Sequence, residues 1–146
     1  MAEATALAKA KAKALDDVGI ARMAGGIETG ETNAKALVKA GKARLLLVAS
    51  DTSDGARRRA EGYVFGTKVP LTAVPYSKAE LSAISGRPGC SMAAFTDPGL
   101  AASFAEALYR EYGAPYRELS ETLAERQKRA RERAGNGKKG KRRKNA

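Results

Sequence analysis

The chain has 146 residues, 27 of them Lys or Arg against 16 Asp or Glu, a net charge of +11, and 43% of its residues are hydrophobic. That length holds one domain and a tail, the hydrophobic share can fill a core, and the charge calls for a polyanionic partner. One cysteine and no histidine exclude an internal disulfide and a multi-thiolate zinc site, and remove the commonest general base and transition-metal ligand.

The charge is uneven. Arg117 to Ala146 carries 12 basic and 4 acidic residues, a net of +8, whereas the preceding 116 residues carry +3. No apolar run is long enough to span a bilayer and no charged-then-apolar leader opens the chain, so a cytoplasmic protein is expected.

Residues 1–14 alternate Ala with Lys or another residue. Alanine favours helix but alternation builds no apolar stripe, so a helical extension precedes a body at 15–115. Leu15, Val18 and Ile20 are the first core candidates. Gly25 and Gly26 interrupt, and Ile27 opens a short strand. Thr29 suits an N-cap, with Gly30 and Glu31 in the first turn of a helix running to Ala40 and ended by Gly41. Leu45-Leu46-Leu47-Val48 is uninterrupted and apolar, which predicts a central strand buried on both faces. After the turn Ala49–Ser53, a helix over Asp54–Phe65 points Ala56, Ala60 and Val64 inward. Val69–Val74 reads as a strand. Ser77-Lys-Ala-Glu80 is a capping box opening a helix with Leu81 and Ile84 inward, stopped at Gly86. Ser91–Thr96 is the next strand. Asp97 then caps a helix with Pro98 in its first position, and Leu100, Phe104, Leu108 and Tyr112 share one face. Gly113 and Pro115 end the body. The alternation predicts an α/β fold, a three-layer α/β/α sandwich around a mixed sheet of about four strands, with a basic C-terminal tail.

The tail, 116–146, divides in two. Residues 116–134 can form a charged helix whose only large apolar residues are Leu119 and Leu123. Residues 135–146, "GNGKKGKRRKNA", offer no core anchor, so disorder is expected. There Lys138, Lys139, Lys141, Arg142, Arg143 and Lys144 can neutralise phosphates without reading sequence; the plainer reading is a solubilising appendage.

The stretch "GRPGCSMAAF" (Gly86–Phe95) sets the one cysteine, Cys90, in a loop. A catalytic cysteine needs a base partner, usually His, and none exists here. Nucleotide-loop motifs, dinucleotide fingerprints and paired carboxylates at catalytic spacing are missing too. No catalytic residue, metal site or cofactor is assigned, and Cys90 is read as a small residue where bulk would block approach.

Five segments carry a family likeness. "VGIARMAGGIETGE" (Val18–Glu31) resembles the opening of bacterial proteins of the YlxQ type, in the L7Ae/L30e ribosomal protein superfamily. Gly30 and Gly41 bracket a helix of that family's length. "KARLLLVASDTS" (Lys42–Ser53), "KVPLTAVPYSKAELSAISGRP" (Lys68–Pro88) and "GCSMAAF" (Gly89–Phe95) are similar to its later strands, capped helix and last loop. The resemblance implies an α/β/α fold that binds kink-turn RNA, a bent duplex with tandem sheared G·A pairs. It implies one RNA surface at Gly30, Glu31, Thr32, Asn33 and Lys35, and another at Arg87, Pro88, Gly89, Cys90 and Ser91, with Asp51 between them. Thr32-Asn33 stands where archaeal members carry Asn-Glu, and Ala36 stands where a lysine is usual, with Lys35 one residue earlier.

Each feature also has a bland reading. Gly30 and its neighbours make an ordinary strand-to-helix turn. Arg57-Arg58-Arg59 point in different directions, as a solvated face does. Tyr63 and Phe95 suit a core, while Tyr76 is open to base stacking. The favoured function is a non-enzymatic, translation-associated RNA-binding protein, monomeric, away from membranes, with structured RNA (ribosomal RNA included) as partner and translation-machinery proteins as further partners. The alternative is a protein-interaction module whose tail binds nucleic acid nonspecifically; an enzyme is the least favoured.

Overall fold

The strand Leu45–Val48 is buried at all four positions, and the rest of the molecule is arranged around it. The computed structural model describes residues 14–86 and 90–144, with side chains up to Gly135 except that of Ser85. Helix α1 (residues 14–23) leads to β1 (Ile27–Thr29), α2 (Glu31–Lys39), β2 (Leu45–Val48), α3 (Asp54–Val64) and β3 (Leu71–Ala73). Then come α4 (Lys78–Ser85), β4 (Met92–Phe95), α5 (Pro98–Tyr112), a 3-10 turn (Ala114–Tyr116) and α6 (Arg117–Lys144). The sheet order is β1-β4-β2-β3. β4 runs antiparallel to both neighbours, and β2 and β3 are parallel.

Strand alternation divides the core in two. Leu45 and Leu47 join Ala93 and Phe95 on one face, covered by Val18 of α1, Leu81 of α4, and Phe104 and Leu108 of α5. Leu46 and Val48 join Met92 and Ala94 on the other, under Ala34 and Val38 of α2 and Ala60 of α3. The predicted three-layer sandwich with a mixed four-stranded sheet is the observed one.

The helix starts follow their caps. Ser53 Oγ accepts from Ala56 N at 3.2 Å. Ser77 and Glu80 form a complete capping box. Asp97 Oδ1 accepts from Leu100 N at 2.9 Å.

Several local expectations shift. Ile20 is 56% exposed; helical spacing turns Ala14, Val18 and Ala21 inward instead, and Ile20, two positions past Val18, faces out. Thr29 is the last residue of β1, held by pairing with Ala93, so Gly30 takes the N-cap position of α2. β3 is only three residues long and half-exposed, because it is an edge strand with one partner.

The body does not end at Pro115. The 3-10 turn feeds directly into α6, whose Leu123 is buried in the same cluster as Phe104 and Leu108, with Leu119 packed against it. Arg126 Nη1 donates to Lys68 O, tying α6 to the entry of β3. Exposed ion pairs, Arg117 with Glu121 and Arg129 with Glu125, join adjacent turns of α6 at i,i+4 spacing. The helix runs to Lys144, through the segment where disorder is expected. The side chains of Lys138, Lys139, Lys141, Arg142, Arg143 and Lys144 lie outside the described residues, as does the extension before Ala14. Among the described residues, no helix is long and apolar enough to cross a membrane.

Docking of α6 through Leu123 is directly testable. Leu123→Ala should lower unfolding stability by about 2–4 kcal/mol, the usual effect of deleting a buried leucine, in urea titration. An unchanged midpoint would mean that α6 does not pack on the body.

Candidate functional site

β4 is antiparallel to β1 and β2, so its first residues lie beside their last ones: Thr29 faces Ala93 and Val48 faces Met92. This end of the sheet therefore gathers the start of α2, the turn after β2 and the entry to β4. Gly30 N donates to Met92 O at 2.8 Å and Ala49 N to Ser91 O at 2.9 Å. Thr52 Oγ1 also donates to Ser91 O. Gly30, Asp51 and Ser91, far apart in sequence, are thus brought to one edge.

Gly30 has φ 100 and ψ 148, a region essentially confined to glycine. An added Cβ would meet nothing within 4 Å, so the requirement is conformational, and the space above the residue is open. With glycine there, α2 has no side-chain cap, unlike α3, α4 and α5. Its first-turn N–H groups keep their partial positive charge without a capping oxygen. Thr32 on that turn and Lys35 one turn further along are exposed. Asn33 is half-buried, and its Nδ2 donates to Thr29 O at 3.1 Å.

An acid at this position would repel an anion, but Glu31 is held down. Arg59 of α3 clamps its carboxylate from Nε and Nη2 at 3.0–3.1 Å. The Tyr63 hydroxyl donates to its Oε2 at 3.1 Å, and Lys35 Nζ lies 5.6 Å from the Tyr63 ring centroid. The Arg59 hydrogen bonds hold the Glu31 carboxyl below its ordinary range. Burial, then its hydrogen bond to Glu31, pushes the Tyr63 phenol up. The clamp adds to two readings. Tyr63 packs against the core cluster on that face, as expected, but its hydroxyl also links α3 to α2, and Arg59 is engaged while Arg57 and Arg58 stay in solvent. No local pattern could have revealed it, because its partners are 28 and 32 residues apart.

Asp51 is exposed, yet its Oδ1 accepts from Lys78 N at 2.8 Å and so helps to start α4. Cys90, expected at the RNA surface, turns its side chain inward. It is buried among the core residues, its thiol directed at Met92 O and its N–H donated to Ser82 Oγ at 2.9 Å. Arg87, Pro88 and Gly89 lie outside the described residues. Tyr76 is buried, edge-on to Tyr112 at 6.3 Å between centroids, so it offers no stacking face. Phe95 is in the core, 5.2 Å from Phe104, as expected. Among the described residues, no three His, Cys, Asp or Glu side chains are grouped to hold a metal ion.

Two outcomes are expected. Glu31→Gln should cost under about 1 kcal/mol at neutral pH, because the clamp is partly exposed and screened. The Glu31 carboxyl is lowered in the folded state, so its contribution is full above the ordinary value of 4.5 and is lost as pH falls through the folded value. Urea midpoints of the two proteins should therefore converge in acid; a pH-independent gap would assign the effect to something other than the ion pair. Separately, Cys90 should resist a thiol reagent in the native protein and react once the chain is unfolded in urea. Prompt native labelling would place the thiol at the surface.

Residues 12–105 match the ribosomal protein L7Ae/L30e/S12e/Gadd45 family. A Bacillus halodurans C protein of unknown function is similar in structure, with TM-score 0.61 and 21% identity over 66% of this chain and 96% of that one. So is a 15.5 kD RNA-binding protein from Giardia lamblia, with TM-score 0.56 and 21% identity over 70% and 87%. At that identity the two structures speak for the fold. No curated protein matches significantly. With well over half its length inside the family match, the chain belongs to the ribosomal protein L7Ae/L30e/S12e/Gadd45 family.

Proposed function

We propose that this chain is a non-catalytic RNA-binding protein of the YlxQ type that works with the translation machinery and recognises a kink-turn or similarly bent RNA. The observation that carries the reading is the uncapped start of α2. Gly30 opens space above the helix, the first-turn N–H groups have no capping side chain, and the one acid there is neutralised by Arg59. Such a terminus accepts phosphates or the acceptor edges of bases, and exposed Thr32 and Lys35 flank it. Family membership supports the reading, as does a structural neighbour known as an RNA-binding protein. The lack of histidine and the inward thiol of Cys90 support the non-catalytic part.

A second reading, contact with another protein, draws on Ile20 and Met23. These are 56% and 90% exposed and lie one helical turn apart on α1.

The test compares binding of the full chain to a kink-turn RNA and to a matched duplex without the sheared G·A pairs, across a salt series. A preference for the kink-turn that persists as salt rises is expected. Thr32→Glu should weaken kink-turn binding tenfold or more while leaving the fold intact, since an acid in a first helical turn favours the helix. Equal binding to both RNAs would sink the kink-turn reading.

A further inference from the structure

The opposite end of the sheet holds a groove that the family-like surface does not account for. It encloses about 610 Å³ between α6, the C-terminal end of α2 and the entries of β2 and β3. Its lining contains six cations, Lys39, Arg44, Lys68, Arg126, Arg129 and Arg133, and no carboxylate. One lining cation, Arg129, also pairs with Glu125 at 3.4 Å.

The arginines of α6 are not simply its solvent face. Leu119, Leu123, Arg126, Ala130 and Arg133 recur at i+4, i+3, i+4 and i+3, which makes one stripe. The stripe buries leucine over α5 and then turns cationic where it lines the groove. Arg126 commits one N–H to Lys68 O, fixing the wall. The end of α2 would ordinarily disfavour an anion, but its carbonyls are answered by its own chain: Gly41 N donates to Val38 O, and Lys42 N and Ala43 N to Leu37 O. Phe65, 87% exposed, stands in the turn leading to the lining residues Thr67 and Lys68.

We propose that this groove is a second RNA site, taking the phosphate backbone of a strand with Phe65 stacked on an unpaired base; it rests on the RNA-binding reading above and adds a contact at the far end of the sheet. Arginine forks fit phosphate oxygens, exposed aromatics take bases, and six further cations follow along the sequence from Lys138 to Lys144. A long array of one sign suits a regular polyanion better than one acidic peptide.

The experiment uses the full chain carrying Arg44→Gln, Arg129→Gln and Arg133→Gln together, with Arg126 left as the latch, and Phe65→Ala as a second variant. The probes are the kink-turn RNA, the matched duplex, a uridine oligomer and polyglutamate, over a salt series, with thermal melts as the folding control. The triple variant should bind every RNA more weakly and flatten the salt dependence of log K by about two, roughly 0.7–0.9 for each phosphate that is no longer neutralised. The kink-turn preference should persist. Phe65→Ala should weaken the uridine oligomer most. An unchanged slope beside an intact kink-turn preference overturns the groove alone. A flattened slope in a protein without kink-turn preference keeps the groove and overturns the kink-turn reading. Loss of polyglutamate binding with RNA binding unaffected would assign the groove to an acidic protein and overturn the proposal.

Discussion

Four consecutive buried residues, Leu45 to Val48, impose the constraint on which the rest depends. A strand presents alternate side chains to opposite faces, so Leu45 and Leu47 demand cover on one side and Leu46 and Val48 on the other. β4 repeats the demand with Ala93 and Phe95 against Met92 and Ala94. Neither strand can tolerate a solvent face, so helices must lie on both. Every crossing between sheet and helix must then occur at an end of the sheet, and both ends become surfaces built from turns and helix termini.

Those ends use charge differently. Where α2 begins, one acid is neutralised across to α3 and the helix dipole is left exposed. Where α2 ends, backbone caps silence the carbonyls and a separate helix brings arginines over the gap. The first arrangement is local and geometrically tight, suited to a defined shape. The second is an array along a stripe, suited to a repeating charge. In the function proposed above, one small domain takes a folded RNA element at one end and a trailing strand at the other, and the sheet between them fixes their separation.

What the sequence showed was what neighbours in sequence decide. The apolar run of β2, the capping box at Ser77 and Glu80, the Asp97–Pro98 start and the stripe of Phe104 and Leu108 are all set within a turn or two, and all were legible. Long-range pairing decided the rest. Thr29 reads as a cap until pairing with Ala93 claims it for the sheet. Cys90 reads as a loop tip, yet the chain has already turned inward there toward β4. Arg59 and Tyr63 look solvated and apolar by position, and only the packing of α3 beside α2 brings them to Glu31. Two leucines were too few to mark α6 as docked, although its stripe continues the spacing they begin.

The place of β4 between β1 and β2 also sets an order of events. Among the described residues, β1 has no partner but β4, and its residues wait on positions 93–95 for their hydrogen bonds. β2 and β3 can pair earlier, since they are close in sequence and parallel. During synthesis, the first ninety or so residues therefore carry a hydrophobic strand that lacks its second neighbour, exposed to whatever is nearby. The sheet cannot close until β4 has been made and takes its place between β1 and β2, and pairings over such separations are slow to find. The strand that joins the two halves of the sheet is thus among the last of its strands to be made.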